Sequence, residues 1–446
     1  MSDVLSSDRP AEAPYPAPAV GWYATVMLAL LYWLSVLDRF IISLLVDPIK
    51  KDLGLTDVQF GMLHGIAFAG AFTLFGLVFG ALADRFNRRK VIYVGVAIWS
   101  LATAACGLAQ NFWHLLLARI GVGVGEASLN PSATSMIADL FPREKLTTAM
   151  AIYAIGSTVG SGTALIIGGA IVGFVAHLDT LVVPLIGEIR PWQAVFFIVG
   201  LPGALFAFSI FTVPEPVRRG PRVGRMRLGQ TYMRLFKFMR EQPRFFIYHY
   251  LGFTFASAVV TGGITWYPAH VGRSFGWSPS EVGSALGTAL LIAGIVAKLA
   301  AGNIVDFLYR RGYRDAQLRW FGLCLLFATP IGVFATLSGD AWTFIIAIAV
   351  FMTIIGAMQA CAMTALNLVT PNELRGTGVA VFTTVAGLVG GGLGPVLIAA
   401  AGKSGIGVGL AIMIGVCCPI GGLLLLRGLR PMREAMADAE RMAPAA

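Results

Sequence analysis

Five ionisable residues lie inside long apolar segments of this sequence, where a charge is costly. They are Asp38, Arg39, Arg119, Glu126 and Lys298. A charged side chain at the centre of a bilayer costs about 2.5–3.5 kcal/mol on insertion scales, so such residues face water, one another or a ligand. A guanidinium matches the planar geometry of phosphate and carboxylate, and a carboxylate at such a depth can take up and release a proton. The pattern predicts a site that binds an anion and protons within a membrane.

The helical rise places these charges at defined depths. At 1.5 Å per residue, Asp38 and Arg119 lie about 10–13 Å below the same membrane surface. Glu126 lies about 10 Å deeper, on nearly the same helical face as Arg119. We therefore expect Asp38 and Arg119 to contact each other, with Glu126 nearer the midplane. The alternative is a static ion pair that only joins two helices.

We assign candidate roles to these residues from their chemistry. Arg119 is the proposed ligand of an anionic headgroup, and Asp38, Arg39 and Glu126 complete the predicted substrate site. Asp38, Glu126 and His64 are the predicted proton-coupling residues, although a packed core histidine is the alternative at position 64. Lys298 lies toward the end of its span, where its stem can carry the ammonium to the surface, so we expect a structural role for it.

The composition excludes a soluble protein. Of 446 residues, 57% are hydrophobic and 13% are charged, about half of the ~25% charged residues of a soluble domain. The five cysteines lie in apolar runs without metal or redox spacing, which predicts packing thiols. We recognise no metal site, no cofactor motif and no catalytic set, so we expect an all-α polytopic membrane protein that is not an enzyme and needs no cofactor.

Hydropathy predicts twelve transmembrane helices in two six-helix halves, because an apolar stretch of about 20 residues crosses the bilayer as a helix. The predicted spans are 20–46, 57–83, 90–109, 112–138, 146–176, 192–213, 245–270, 279–305, 317–337, 341–368, 374–401 and 405–427. The predicted organisation is an N-terminal tail (1–19), a bundle (20–213), a basic linker (214–244), a second bundle (245–428) and a C-terminal tail (429–446). The first span carries no basic leader before it, which predicts an uncleaved anchor.

The distribution of basic residues predicts the orientation. With the N-terminus inside, 25 of the 33 Lys and Arg residues fall on the cytoplasmic side and 5 on the other. This asymmetry places both termini in the cytoplasm of a bacterial inner-membrane protein. The net charge of +10 then reflects topology and attraction to anionic membrane lipids, and no nucleic-acid partner is expected.

An internal repeat relates the two halves. Gly80 and Asp84 recur as Gly302 and Asp306, each offset by 222 residues, which predicts a pseudo-two-fold axis along the membrane normal. We predict a cytoplasmic gate from the residues of this motif, with topology-setting anchors as the alternative for the basic ones: Gly80, Asp84, Arg85, Arg88, Arg89, Asp306 and Arg310. The glycine-rich eleventh span, interrupted by Pro395, is the predicted hinge.

The motif carries a family resemblance. The segment GALADRFNRR at 80–89 matches the loop pattern G-x-x-x-D-R-x-G-R-R, with Asn87 in place of the usual glycine. Asn tolerates the left-handed conformation that we expect there. The whole chain resembles the major facilitator superfamily. Strings such as ARIGVGVGEASLNPSATSMIADLFPREK in the N-terminal half resemble its Spinster branch.

The resemblance implies a function. Characterised Spinster proteins export lysolipids and sphingosine-1-phosphate, so the expected substrate is an amphipathic anionic lipid moved by alternating access in a proton-coupled monomer. A transporter of small organic anions and a membrane sensor that does not transport are the alternatives. No Walker motif is present, and the glycines of 121–125 lie in an apolar helix without a preceding strand, which argues against a nucleotide site.

Overall fold

The computed structural model of the chain describes residues 15–177, 181–183, 187–218, 228–371 and 374–442. These residues are almost entirely helical. Most of the predicted N-terminal tail, the centre of the predicted linker (219–227) and the last four residues lie outside the described residues.

The first half of the chain forms nine α-helices. They are α1 (Pro18–Phe40), α2 (Val46–Leu53), α3 (Asp57–Met62), α4 (Phe68–Arg85), α5 (Arg88–Cys106), α6 (Phe112–Glu126), α7 (Leu129–Leu140), α8 (Arg143–Val175) and α9 (Pro191–Phe206). Two 3₁₀ segments, Ile41–Leu44 and Ala207–Thr212, extend α1 and α9, and a π-helical turn, Leu63–Ala67, joins α3 to α4.

The second half repeats this plan. Its helices are α10 (Leu228–Glu241), α11 (Pro243–Phe275), α12 (Pro279–Arg310), α13 (Ala316–Thr336), α14 (Ala341–Ile355), α15 (Met358–Val369), α16 (Arg375–Val385), α17 (Gly392–Ala401), α18 (Ile406–Arg427) and α19 (Leu429–Met442). A second π-helical segment, Ala386–Gly391, joins α16 to α17 inside the predicted hinge.

The helices fit the predicted spans, and two of these spans are interrupted by a turn. Eleven helical segments of the described part are long and apolar enough to cross a membrane. The remaining predicted span, 112–138, is divided into α6 and α7 by a turn at Ala127 and Ser128. A matching interruption separates α14 from α15 at Gly356 and Ala357. The fourth and tenth spans are therefore both broken, as the repeat implies.

Four elements outside the spans were not predicted. A short antiparallel hairpin pairs β1 (Leu181–Val183) with β2 (Gly187–Ile189) between the fifth and sixth spans. Helix α2 follows the first span, α10 lies within the predicted linker, and α19 lies within the predicted tail. We call the membrane side with α10 and α19 the linker face, and the side with α2 and the hairpin the opposite face.

The two halves are held together at the opposite face. There the ring of Phe60 in α3 lies 5.8 Å from that of Trp266 in α11, and Gly61 packs against the backbone of Pro395. At the linker face, Arg88 pairs with Asp139 and Glu215 in the first half, and Gln242 binds Asp438 and Arg433 pairs with Asp315 in the second. We therefore interpret the structure as the form that opens toward the linker face.

Candidate functional site

The predicted charges meet where two transmembrane helices end inside the first half. Arg39 lies in the last turn of α1, just before its 3₁₀ extension, and Glu126 is the last residue of α6. Cations are favoured near helix C-termini because unpaired carbonyl groups carry partial negative charge there. The change from α- to 3₁₀-helix in the first span and the break in the fourth therefore create a polar environment at membrane depth.

We call Asp38, Arg39, Arg119 and Glu126 the central charge cluster. Arg39 Nη2 lies 2.5 Å from Glu126 Oε2, and Arg39 Nε donates to the same oxygen at 3.1 Å. Ser35 Oγ donates to it as well, at 3.2 Å. The side chain of Glu126 is fully buried whereas that of Arg39 is 21% exposed. Arg39 is therefore the member of the pair that a solute can reach.

Asp38 and Arg119 lie close enough for their charges to interact, as expected, but the ion pair of the cluster is formed by Arg39 and Glu126, which we did not predict. Arg119 is fully buried, and its Nη2 donates to the backbone oxygen of Arg39 at 3.4 Å. The carboxylate of Asp38 is also buried, with Thr103 and Trp99 beside it and the charges of Glu126 and Arg119 nearby. Ser35 and Arg39 are four residues apart and share the helical face that meets Glu126, whereas Asp38 lies about 100° away. The depth of Arg119 was estimated well, but the rotation of α1 decides which side chain faces Glu126.

The cluster is balanced in charge and incompletely bonded. Two guanidinium groups face two carboxylates, yet Glu126 Oε1 and the Nε and Nη1 atoms of Arg119 have no hydrogen-bond partner among the described residues. Buried polar groups are normally bonded, so each exception needs an explanation. The free oxygen of Glu126 can accept a proton, and the free guanidinium donors of Arg119 beside it can bind an anion.

A close helix approach makes the cluster possible. Gly125 of α6 packs against α5, where the Cβ of any other residue would overlap the backbone of Gly95 and Trp99. The glycines of 121–125 thus lie within a helix, as predicted, and serve packing. This close packing of α6 places Glu126, at the end of the helix, beside α1.

Aromatic rings cover one side of the cluster. The Arg39 guanidinium carbon lies 4.7 Å from the ring centroid of Phe68 and 5.1 Å from that of Phe72. His64 is buried in the π-helical turn with its ring stacked 6.0 Å from that of Phe40. Its Nδ1 has no hydrogen-bond partner among the described residues, so His64 stays a candidate for proton coupling.

A second cluster, which we did not predict, joins the halves at the opposite face. Arg273 of α11 contacts Asp47 of α2 at 2.7 Å and Asp57 of α3 at 2.9 Å, and Lys50 lies 2.5 Å from Asp57. Asp47 and Arg273 are 226 residues apart, close to the repeat offset. A search for opposite charges at equivalent ends of the first and seventh spans would have found this pair.

Removing this ion cluster should favour opening at the opposite face. Arg273→Gln breaks the charged contacts to Asp47 and Asp57; partly exposed ion pairs contribute about 0.5 kcal/mol each, so the loss of two should shift the population about fivefold. Spin labels at Lys51 and Ser404 should report longer distances. The matched control is Arg190→Gln, because the ion pair of Arg190 with Asp52 lies on the same face but within one half. Equal distance distributions in both variants would contradict the assignment.

The predicted gate residues separate into buried and exposed groups. Arg88 is fully buried, with its Nη1 2.5 Å from Asp139 and its Nε 2.8 Å from Glu215. Arg89 donates to the backbone of Val213 and also contacts Glu215. These contacts stay within the first half. Asp84, Arg85, Asp306 and Arg310 are exposed at the linker face, and Gly80 is half-buried. Among the described residues, no ion pair or side-chain hydrogen bond joins a predicted gate residue to the second half, so the gate stays a prediction.

The turn before α5 differs from expectation. Asn87 has φ −62° and ψ 118°, and its side chain accepts a hydrogen bond from the backbone of Lys90 as the helix N-cap. The left-handed conformation that we expected is therefore wrong. An N-cap bond satisfies one of the free N–H groups at the helix start, which explains why asparagine suits this position. Arg218 binds the carbonyl oxygens of Ala83, Asp84 and Phe86 at the end of α4.

Arg88 should be required for stability rather than for gating. Removing one partner of a buried ion pair costs about 3–5 kcal/mol because it leaves the other charge uncompensated, so we expect Arg88→Met to lower the free energy of unfolding by that amount. Thermal unfolding of the purified protein in detergent measures it. Arg85→Gln, an exposed substitution in the same motif, should change stability by less than about 0.5 kcal/mol. Equal stability of the two variants would refute the prediction.

Comparison with known proteins now identifies the class. The profile of the Major Facilitator Superfamily matches residues 28–395. The chain belongs to this superfamily, whose members are membrane transporters, and its fold is the twelve-helix fold of two related halves.

Similarities within the superfamily point to the Spinster branch. The crystal structure of a bacterial homolog of the human lysosomal transporter Spinster, in an inward-facing, unoccupied conformation, superposes with a TM-score of 0.75 at 26% identity, covering 96% of this chain and 100% of that one. Protein spinster homolog 1 of Rattus norvegicus is 31% identical over 56% of this chain and 45% of its own length. An MFS-type efflux pump of Mycolicibacterium smegmatis is 27% identical over 82% of this chain and 81% of its own. The match to the rat protein thus spans about half of that relative.

Proposed function

We propose that the protein is a proton-coupled secondary transporter in a bacterial inner membrane, with both termini cytoplasmic, that moves an anionic amphipathic lipid by alternating access. A lysophospholipid or a sphingoid phosphate represents the substrate class. The observation that carries the proposal is the central charge cluster, a buried ion pair with one partly exposed partner, Arg39.

The cluster can couple a proton to an anion by competition for one guanidinium. In the structure, the carboxylate of Glu126 forms an ion pair with the guanidinium of Arg39, so that guanidinium is not available to an anion. A proton delivered to the free Oε1 of Glu126 neutralises the carboxylate and leaves Arg39 with an unbalanced charge. The anionic group of a substrate restores the balance. Loss of the proton re-forms the ion pair and expels the anion, so both states keep a neutral cluster at membrane depth.

The surroundings of Arg39 favour an amphipathic substrate. Phe68 and Phe72 stack on each other at 5.7 Å and lie against the guanidinium. A charged donor beside an apolar wall suits a ligand that carries an anionic head and a hydrocarbon chain. The similarity to Spinster proteins supports the same substrate class.

Reconstituted transport tests the proposal. Proteoliposomes with the purified chain should move labelled lysophosphatidylglycerol, and a pH gradient should accelerate this movement several-fold. Transport of glucuronate without transport of the lysolipid would assign the protein to small organic anions instead. Tight lysolipid binding without movement under any gradient would indicate a sensor.

A further inference from the structure

The seam between α8 and α12 joins the halves along only part of its length. Toward the opposite face it is tightly packed: Gly169 lies against Pro279 and Gly283, and Gly162 lies against Gly287 and Leu291. Toward the linker face, by contrast, Ala151 and Ile155 of α8 and Lys298 of α12 lie on the same helical faces as Gly162 and Leu291 and are exposed. The seam therefore parts on the linker side.

Lys298 stands at the point where the seam parts. Its ammonium group donates a hydrogen bond to Thr158 Oγ1 of the other half. Thr158 in turn donates to the backbone oxygen of Ala154 at 3.4 Å. Lys298 itself is exposed, and no carboxylate of the described residues lies within ion-pair distance of it. An ammonium group has three donors, so two remain for a ligand.

The depth of Lys298 makes a purely structural role costly. Helix α12 has 32 residues, and Lys298 lies about 5 Å from its midpoint. The hydrocarbon core extends about 15 Å to either side of the membrane centre. About 10 Å therefore separate Lys298 from the edge of the core, more than the reach of a lysine side chain of about 6 Å. A cation there needs water or an anion near it. The expected structural role of Lys298 stays untested, and its depth gives a reason to consider a ligand.

Lys298 also lies between the linker face and the depth of the central charge cluster. Gly160 of α8 packs against Val36, and Gly168 packs against Ile41, so Arg39 is level with a position between these two glycines. Thr158 is then about seven residues, or about 10 Å, closer to the linker face than Arg39. A molecule that enters through the parted seam meets Lys298 first and Arg39 second.

We propose that Lys298 binds the anionic headgroup of the substrate lipid as it enters between α8 and α12, before the headgroup reaches Arg39. This inference rests on the proposed function, because it assumes a lipid substrate. The lysine supplies a charge, the parted seam admits the hydrocarbon chain from the membrane, and the hydrogen bond with Thr158 keeps the ammonium at the opening.

Binding to the purified full-length protein tests the inference with two lipids of equal chain length. Lys298→Gln should weaken binding of lysophosphatidylglycerol about tenfold, as expected for the loss of a charge-assisted hydrogen bond, and should leave binding of the neutral monoacylglycerol unchanged. Lys298→Arg should restore most of the affinity for the anionic lipid. The matched control Lys403→Gln removes an exposed lysine at the opposite face and should change neither lipid.

Further arms separate a headgroup site from a structural contact. Thr158→Val removes the partner of the lysine but keeps its charge, and it should preserve the preference for the anionic lipid. An equal loss for both lipids in Lys298→Gln, or no loss for either, would overturn the inference while leaving the proposed function intact. Wild-type protein that binds neither lipid would overturn both. Glycerol phosphate that binds as tightly as the lysolipid would show that the site takes a soluble anion.

Discussion

Glu126→Gln is expected to abolish transport driven by a pH gradient, while anion binding persists and no longer varies with pH. The amide resembles the protonated carboxyl and cannot ionise, so Arg39 is permanently released from the ion pair seen here. Shifting a two-state equilibrium from 1:99 to 99:1 takes about 5.5 kcal/mol, and breaking a buried ion pair is worth about 3–5 kcal/mol. One proton at Glu126 therefore supplies a free energy large enough for most of this shift, to the extent that the ion pair differs between the two forms.

The measurement is the pH midpoint of the transition between the two forms. Labels at Arg85 and Gly376, exposed at the linker-face ends of the second and eleventh spans, report the opening as the pH is changed. Asp38→Asn should alter the midpoint as well, because Asp38 is the second carboxylate of the cluster. Glu144→Gln, an exposed carboxylate outside the cluster, is the control and should switch as the wild type does. If both cluster variants still switch at the wild-type midpoint, proton sensing lies elsewhere, with His64 as the next candidate.

Arg119→Ala is expected to abolish transport and to lower the free energy of unfolding by about 3–5 kcal/mol. The guanidinium is fully buried and binds the carbonyl oxygen of Arg39, so it both balances the cluster and positions the segment that carries Arg39. Its removal leaves two carboxylates with one cation. Arg119→Lys should recover transport only in part, because an ammonium group keeps the positive charge but lacks the planar, two-pronged donor geometry of a guanidinium.

A double variant separates charge balance from function. Arg119→Ala combined with Asp38→Asn restores neutrality, and it should recover most of the lost stability in thermal unfolding but none of the transport in proteoliposomes. Transport of labelled lysolipid near the wild-type rate by Arg119→Ala alone would remove Arg119 from the mechanism. A double variant as unstable as the single one would show that the hydrogen bond to Arg39, rather than charge, is the dominant effect.

The class of protein and its helices follow from the sequence because the membrane allows few solutions. An apolar segment without water must satisfy its own backbone groups, and a helix does so locally. The members of the central charge cluster were identifiable for a related reason. A charged side chain at membrane depth costs free energy, so such residues are paired, hydrated or bound to a ligand. The repeat of Gly80 and Asp84 likewise indicated two related halves without reference to packing.

The tertiary structure decided how these residues combine. The rotation of α1 about its axis presents Ser35 and Arg39, not Asp38, to Glu126, and spacing along the chain cannot determine a rotation relative to another helix. The contact of Arg273 with Asp47 and Asp57, and that of Lys298 with Thr158, depend on how the two halves are tilted. In a transporter, the same sequence adopts more than one arrangement of its two halves, so it does not determine a single set of contacts between them. Sequence alone therefore determined which charges lie at membrane depth, while the arrangement of the helices decided which of them are buried and which of them meet.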